Sequence, residues 1–273
     1  MISSITYFIL IKGSILLMSN YKFDKGAAIV FGGSGVLGSG IVKLLSKNGI
    51  DVAFNYFENK KSADELTKIV KSNGKNAFVE KVNLLNLNNV KDFTKSVKRK
   101  FGRIHSVIDA SGPFINIAPI LESNTEDVYK TLDTDIIGFY HIVKSTVPIL
   151  KEGGGGSITA LTAAAVDRYI NTAGLSSIPK TVVTHLCKAI AREEGINGIR
   201  ANCIAVGQID LLSDKQKEEI ESSGDVSNQF LRLIPLGRSG KPEELFNAVA
   251  FIASNNAGYI NGQTLSVDGG YSA

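Results

Sequence analysis

Five apolar residues, Ala27 to Phe31, run directly into Gly32-Gly33-Ser34-Gly35-Val36-Leu37-Gly38, and helical periodicity takes over by residue 38. A strand that ends in clustered glycines and opens a helix is a demanding local geometry. The glycines allow backbone amides to approach a ligand closely, and the helix amino end adds partial positive charge. A glycine cluster alone says little, but this strand, turn and helix context points to a bound pyrophosphate.

The same alternation continues along the chain. Apolar runs predict strands over 27–31, 51–56, 77–82, 106–109, 157–161, 200–206 and 264–267. Between them, helical periodicity predicts helices over 38–48, 62–72, 90–101, 126–150, 178–194 and 242–254. Strands separated by helices must pair in parallel through right-handed crossovers. The expected fold class is therefore α/β, a Rossmann-type doubly wound parallel sheet in a single domain, with its ligand at the carboxyl ends of the strands.

With 273 residues and 44% hydrophobic content, the chain can bury one large core. The net charge is +4, but the densest basic run is only Lys98-Arg99-Lys100, and acids alternate with the bases along helical stretches. That pattern describes solvated helix faces and gives no nucleic-acid partner. Cys187 and Cys203 stand in apolar patterns without metal-ligand spacing, as small core residues in a reducing cytoplasm, and no metal site is expected. Residues 1–17 are apolar, yet they lack a basic start, Lys12 and Gly13 interrupt them, no small-residue cleavage site follows, and Met18 offers a second start. Residues 1–20 are expected to be an extension outside the fold, with an ordered arm or a targeting segment as alternatives, and residues 21–273 the domain. No other stretch approaches the length of a membrane span.

No acid closes the second strand, where a carboxylate would hold the 2′-hydroxyl of NAD. Asn55, Tyr56 and Phe57 stand there, with Lys60 and Lys61 just beyond and Glu58 partly offsetting them. Cations at that point favour NADP, with NAD as the alternative.

From Lys25 to Ala273 the chain resembles the short-chain dehydrogenase/reductase family. The tail carries the strongest likeness: Ile234-Pro235-Leu236-Gly237-Arg238, Pro242-Glu243-Glu244-Leu245, Asn261-Gly262-Gln263-Thr264 and Val267-Asp268-Gly269-Gly270. Phe101-Gly102-Arg103-Ile104 and Gly198-Ile199-Arg200-Ala201-Asn202 add to it. The resemblance implies a nicotinamide cofactor, a small-molecule substrate and a homotetramer or homodimer. Carried over position by position, it implies cofactor contacts at Gly32, Gly33, Ser34, Gly35, Leu37 and Gly38, at Asn83 and Leu84, at Asp109, Ala110, Ser111 and Gly112, and at Lys180, Gly207 and Ile209.

The family's reaction residues are largely replaced. Where the family places an Asn that holds a relay water, a Ser that polarises the substrate and a Tyr that moves the proton, this chain has Asp135, Ala163 and Ser176; Lys180 alone is kept. Ser176 and Lys180 lie four apart on one helix face, a Ser-x-x-x-Lys pair similar to that of the dienoyl-CoA reductase branch. That branch keeps a tyrosine fifteen residues before the lysine, where this chain has Ala165. Tyr169 is the nearest tyrosine and reads better as a packing or surface residue. Lys180, Ser176, Asp135 and Thr162 are the candidate catalytic groups. Asp135 is either an acid near the cofactor or a polar support, and Ser176 or Ser177 is a candidate helix cap ahead of Pro179. Three functions fit: hydride transfer to a carbonyl or conjugated enoyl substrate, cofactor binding without turnover, or a non-redox lyase or isomerase reaction using Asp135 or Asp109. The stretches 113–119 and 209–230 are expected to border the substrate.

Overall fold

The structure is a computed structural model that describes residues 21–113, 118–211 and 231–273, together with the backbone of two short strands, Leu10–Ile11 and Ser14–Ile15. Most of the expected extension and of the stretch 209–230, and residues 114–117, lie outside the described residues.

Seven strands form one sheet: β1 (Ala27–Phe31), β2 (Asp51–Tyr56), β3 (Ala77–Lys81), β4 (Ile104–Asp109), β5 (Gly156–Ala163), β6 (Ile199–Val206) and β7 (Thr264–Val267). Every pairing is parallel, in the order β3-β2-β1-β4-β5-β6-β7. Helices α1 (Val36–Lys47), α2 (Lys60–Ser72) and α7 (Pro242–Ala253) cover one face; α3 (Leu87–Phe101), α5 (Gly138–Glu152) and α6 (Gly174–Glu194) cover the other. Because both faces are covered, β1 is buried at every position, which is why its sequence is a continuous apolar run and does not alternate.

Each face has its own core. Phe31, Phe93, Phe139, Ile142, Ile158 and Val183 pack on one side, and Val30, Ile41, Leu45, Phe54, Leu66 and Val249 on the other. Phe93 bridges its neighbours, meeting Phe31 edge-on at 5.8 Å between ring centroids and Phe78 stacked at 6.0 Å. The thiols of Cys187 and Cys203 are both free and buried in the first core.

The strand order reverses between β1 and its two neighbours, β2 and β4. Crossovers leave β1 and β4 toward opposite faces, so the sheet opens a crevice at their carboxyl ends. The glycine turn after β1 and the segment Ala110 to Pro113 after β4 form its two lips.

Two helices depart from the sequence expectation. The helix expected over 126–150 is α4 (Thr125–Thr131), a stretch of wider π turns over Leu132–Ile137, and then α5. Such an insertion, common at functional sites, re-aims the residues that it contains, and here it contains Asp135. Helix α6 begins at Gly174 rather than at 178, and its N-cap is Ala173, without a side-chain cap. Neither Ser176 nor Ser177 is therefore a cap. Pro179 stands inside the helix, where it removes the amide that would reach the Leu175 carbonyl.

Candidate functional site

The glycine turn is built by close backbone approach. Gly32 has φ +70°, and a side chain there would come within 2.6 Å of the Ala110 carbonyl oxygen on the opposite lip. Gly38 lies so close under the turn that a Cβ would meet the Gly32 carbonyl oxygen at 2.2 Å. Asn55, buried at the end of β2, accepts a 2.8 Å hydrogen bond from the Gly32 amide and donates to the Val82 carbonyl at 3.4 Å. Its amide group thus ties three strand ends together. The amino end of α1 at Gly35 has no side-chain cap and no acid in its first turn, so its amides face the crevice unopposed.

A groove of about 1640 Å³ follows this lip, bordered by Gly32, Ser34, Gly35, Asn55, Asn83, Leu84, Ala110, Ser111 and Gly112, all expected from the sequence. Tyr56, Phe57 and Glu58, which the sequence placed beside the 2′ position, border it as well; Asn59, Ser62 and Val82 also border it and were not foreseen. The signal for Asn59 was available, since an Asn three residues before a Ser at a helix start is a capping pattern, and Asn59 does accept from the Ser62 amide at 2.9 Å. Lys60 does not border the groove; its ammonium pairs with Asp64 at 2.7 Å, and both side chains are well exposed. Gly33 and Gly38 lie beneath the turn. Gly207 and Ile209 support the site from behind: Gly207 passes so close to the tail that a Cβ would lie 2.5 Å from the Asp268 Cα, and Ile209 bridges to Gly240.

A smaller cavity of about 300 Å³ opens beside the groove and shares Gly35, Val36 and Ala110 to Pro113 with it. Leu37, Asp135, Leu161, Thr162, Leu175, Ser176, Lys180 and Val206 line the rest. All four candidate catalytic residues therefore meet in one place, brought there by β5, α6 and the π-turn segment. Tyr169 is 54% exposed and does not line the cavity, while Ala165 is buried. The Thr162 hydroxyl donates to the Ile204 carbonyl at 3.3 Å across the β5–β6 pair. The loop that leads into α6 includes Thr172 at φ +74°, a left-handed conformation that costs a β-branched residue energy, immediately before the helix that carries Ser176 and Lys180.

Lys180 is the hub of a buried charge cluster. Its ammonium lies 3.1 Å from Asp135 Oδ1 and donates to the Ser111 carbonyl at 3.3 Å. Ser111 in turn donates twice to Asp109 Oδ1, from its amide at 3.0 Å and its hydroxyl at 2.5 Å. Exposure is 2% for Asp109, 4% for Asp135 and 12% for the Lys180 side chain, so water screens these charges little. Burial pushes the Asp109 carboxyl up, against the pull of Lys180 and the Ser111 hydrogen bonds. Burial likewise raises Asp135; Lys180 opposes that rise and the negative charge of Asp109 adds to it. Among the described residues, no group of three or more His, Cys, Asp or Glu side chains could hold a metal ion, and no helix is long and apolar enough to cross a membrane.

The parallel sheet, the reversal of strand order and the glycine turn at the crevice define a Rossmann-type doubly wound protein. A family model described as enoyl-(acyl carrier protein) reductase matches residues 34–272. The 3-oxoacyl-[acyl-carrier-protein] reductase FabG of Staphylococcus aureus is 31% identical over 253 residues, covering 89% of this chain and 97% of the relative. The enzyme of the same name from Chlamydia muridarum is 31% identical over 247 residues, covering 89% and 96%. Among solved structures, a short-chain type dehydrogenase/reductase from Mycobacterium ulcerans superposes with a TM-score of 0.85 at 26% identity, covering 92% of this chain and 91% of that one. One from Serratia marcescens gives a TM-score of 0.83 at 26% identity, covering 93% and 100%. This chain belongs to the short-chain dehydrogenase/reductase family.

Proposed function

We propose that this protein is a nicotinamide-dependent reductase that prefers NADP and transfers hydride to a carbonyl or conjugated enoyl group of a small molecule. The observation that carries the reading is the place of Lys180 in the cavity, hydrogen-bonded to Ser111, which borders both cavity and groove, with Ser176 four residues before it lining the same cavity. The groove fits a dinucleotide. Its glycine turn would be filled by any Cβ at Gly32 or Gly38, and the uncapped start of α1 suits a pyrophosphate. Asn83 and Leu84 would border the adenine, Ala110 to Gly112 the ribose, and Lys180 the sugar next to the nicotinamide. The preference for NADP is supported by Asn55 and Tyr56 in place of an acid at the end of β2, and opposed by Glu58, which borders the groove just beyond them.

When bound, the reduced cofactor supplies the hydride. The chain's own residues orient the acceptor and handle the proton. Ser176 has the cavity-facing hydroxyl that can donate a hydrogen bond to a substrate oxygen, whereas the Thr162 hydroxyl is spent on Ile204. A serine is a poor proton donor, which favours reduction of a conjugated alkene, where the oxygen needs polarising and protonation follows separately. The printed names of the relatives and of the family model, a 3-oxoacyl and an enoyl reductase of acyl-carrier-protein substrates, support a carbonyl or an enoyl acceptor without choosing between them. We further propose a cytoplasmic homotetramer or homodimer with a domain over residues 21–273.

The alternative is a cofactor-binding protein without turnover, favoured by Ala163 and Ser176 at the family's serine and tyrosine positions. NADPH and NADH thermal-shift titrations, followed by a panel of enoyl and carbonyl compounds monitored by nicotinamide absorbance, separate the two. Stabilisation by NADPH with oxidation by an enoyl compound supports the reductase. Stabilisation without oxidation by any compound supports the binding protein, and no stabilisation by either dinucleotide overturns both.

A further inference from the structure

The ion pair between Lys180 and Asp135 stands at the lip of the crevice. Asp135 comes from the π turns between α4 and α5, Lys180 comes from α6, and their charged atoms meet at 3.1 Å. The ammonium also donates to the Ser111 carbonyl at 3.3 Å, which fixes it against the segment that follows β4. Gly112, the next residue, has no side chain to cover the pair: a Cβ there would stand 3.6 Å from Asp135 Oδ1 and 4.0 Å from Lys180 Nζ. Gly112 borders both groove and cavity, and Asp135 and Lys180 line the cavity. The pair is therefore open to whatever fills the cavity, although both side chains are largely shielded from bulk water.

We propose that the Asp135 carboxylate cancels the charge of Lys180 beside the nicotinamide, shifts binding toward the oxidised cofactor, and thereby makes the reduced cofactor a stronger hydride donor. Hydride loss carries one proton and two electrons away from a reduced nicotinamide and leaves the ring one charge more positive. A lone ammonium in the cavity wall would oppose that gain. With a carboxylate at 3.1 Å the pair carries no net charge, and the opposition falls away. A round space of about 300 Å³ is about 8 Å across, so a ring inside it stays within Coulombic reach of Asp135. One full charge at that range in a partly buried site changes relative affinity by about tenfold or more. Asp109 lines neither the groove nor the cavity and accepts twice from Ser111, so its contribution is a background common to every variant at Asp135.

The proposal rests on the reductase reading, which puts the nicotinamide next to Lys180. Asp135 is then a positioning residue: it holds the ammonium by contact and tunes the cofactor by charge. A stronger hydride donor suits a cavity in which the Ser176 hydroxyl is a poor source of protons, because more of the driving force comes from the hydride itself.

The test is a fluorescence titration of NADPH and of NADH, each competed with its oxidised form, on the wild type, Asp135→Asn and Asp135→Glu, all verified as folded by their thermal transitions. Asp135→Asn leaves the ammonium uncompensated, so the affinity ratio should move toward the reduced form by about tenfold, and by about threefold at the least. Asp135→Glu keeps the charge and should stay within about threefold of the wild-type ratio. Should Asp135→Asn fail to fold, Asp135→Ser, whose smaller side chain leaves room for water beside the ammonium, carries the same expected shift. A shift below about threefold in the neutral variant, a shift toward the oxidised form, or a Glu variant that behaves like the neutral one overturns the proposal and leaves the reductase reading in place. A wild type that binds neither dinucleotide overturns both. These measurements need no substrate, so they are independent of whether the compound panel finds turnover.

Discussion

Replacing Lys180 with methionine keeps most of the apolar stem and removes the only cation within ion-pair distance of Asp135 among the described residues. Breaking a buried ion pair by deleting one partner costs about 3–5 kcal/mol, since the remaining charge is left uncompensated. The carboxyl can escape that cost by binding a proton. Its ordinary value is 3.8, and holding it neutral in the folded state costs about 1.4 kcal/mol for each pH unit above that. The folded variant then binds more protons than the unfolded chain. Stability is therefore fully present below the unfolded value and is lost as pH rises through the window above it. Relative to wild type, Lys180→Met should be nearly neutral at about pH 4 and destabilised by roughly 3–5 kcal/mol at about pH 7, where the two routes cost about the same. Urea denaturation at a series of pH values measures this difference directly. A loss that is flat with pH, or below about 1 kcal/mol at neutral pH, would refute the reasoning, because it would mean that the lysine does not compensate a buried acid.

Other perturbations probe the remaining parts. His105, buried against Phe23 with its ring nitrogen 2.9 Å from the Ser106 hydroxyl, is lowered by burial from 6.5 to about 4. It is held neutral in the fold, so the unfolded chain takes up its proton first, and stability falls as pH drops from 6.5 toward 4 by up to roughly 3 kcal/mol; His105→Phe should flatten that acid limb in urea titrations. Gly38→Ala drives a Cβ to 2.2 Å from the Gly32 carbonyl oxygen, a backbone atom that cannot step aside. A loss of about 1–3 kcal/mol is expected, with the dinucleotide-induced rise in melting temperature abolished, and a variant that keeps both would place the turn elsewhere. The double substitution Ala163→Ser with Ser176→Tyr should raise NADPH-dependent ketone reduction by about 10²-fold or more, and an inert but folded double variant would show that the cavity no longer accepts a ketone in the family's orientation.

The sequence alone determined the order of strands and helices, because burial on both faces writes itself as continuous apolar runs and glycine punctuation. It also determined the glycine turn, since no other residue type tolerates the approach of Gly32 to Ala110 or of Gly38 to Gly32. Asp135, Ser176 and Lys180 could be named from their places in the chain, but their distances could not. Only the packing of β4, α6 and the π turns decided that the Lys180 ammonium meets both the Asp135 carboxylate and the Ser111 carbonyl, because those contacts join residues 45 and 69 apart in sequence. The same packing moved the start of α6 ahead of Ser176, since tertiary contacts override weak capping signals. Lys60 pairs with Asp64 four residues along its own helix, a contact that sequence spacing alone allowed.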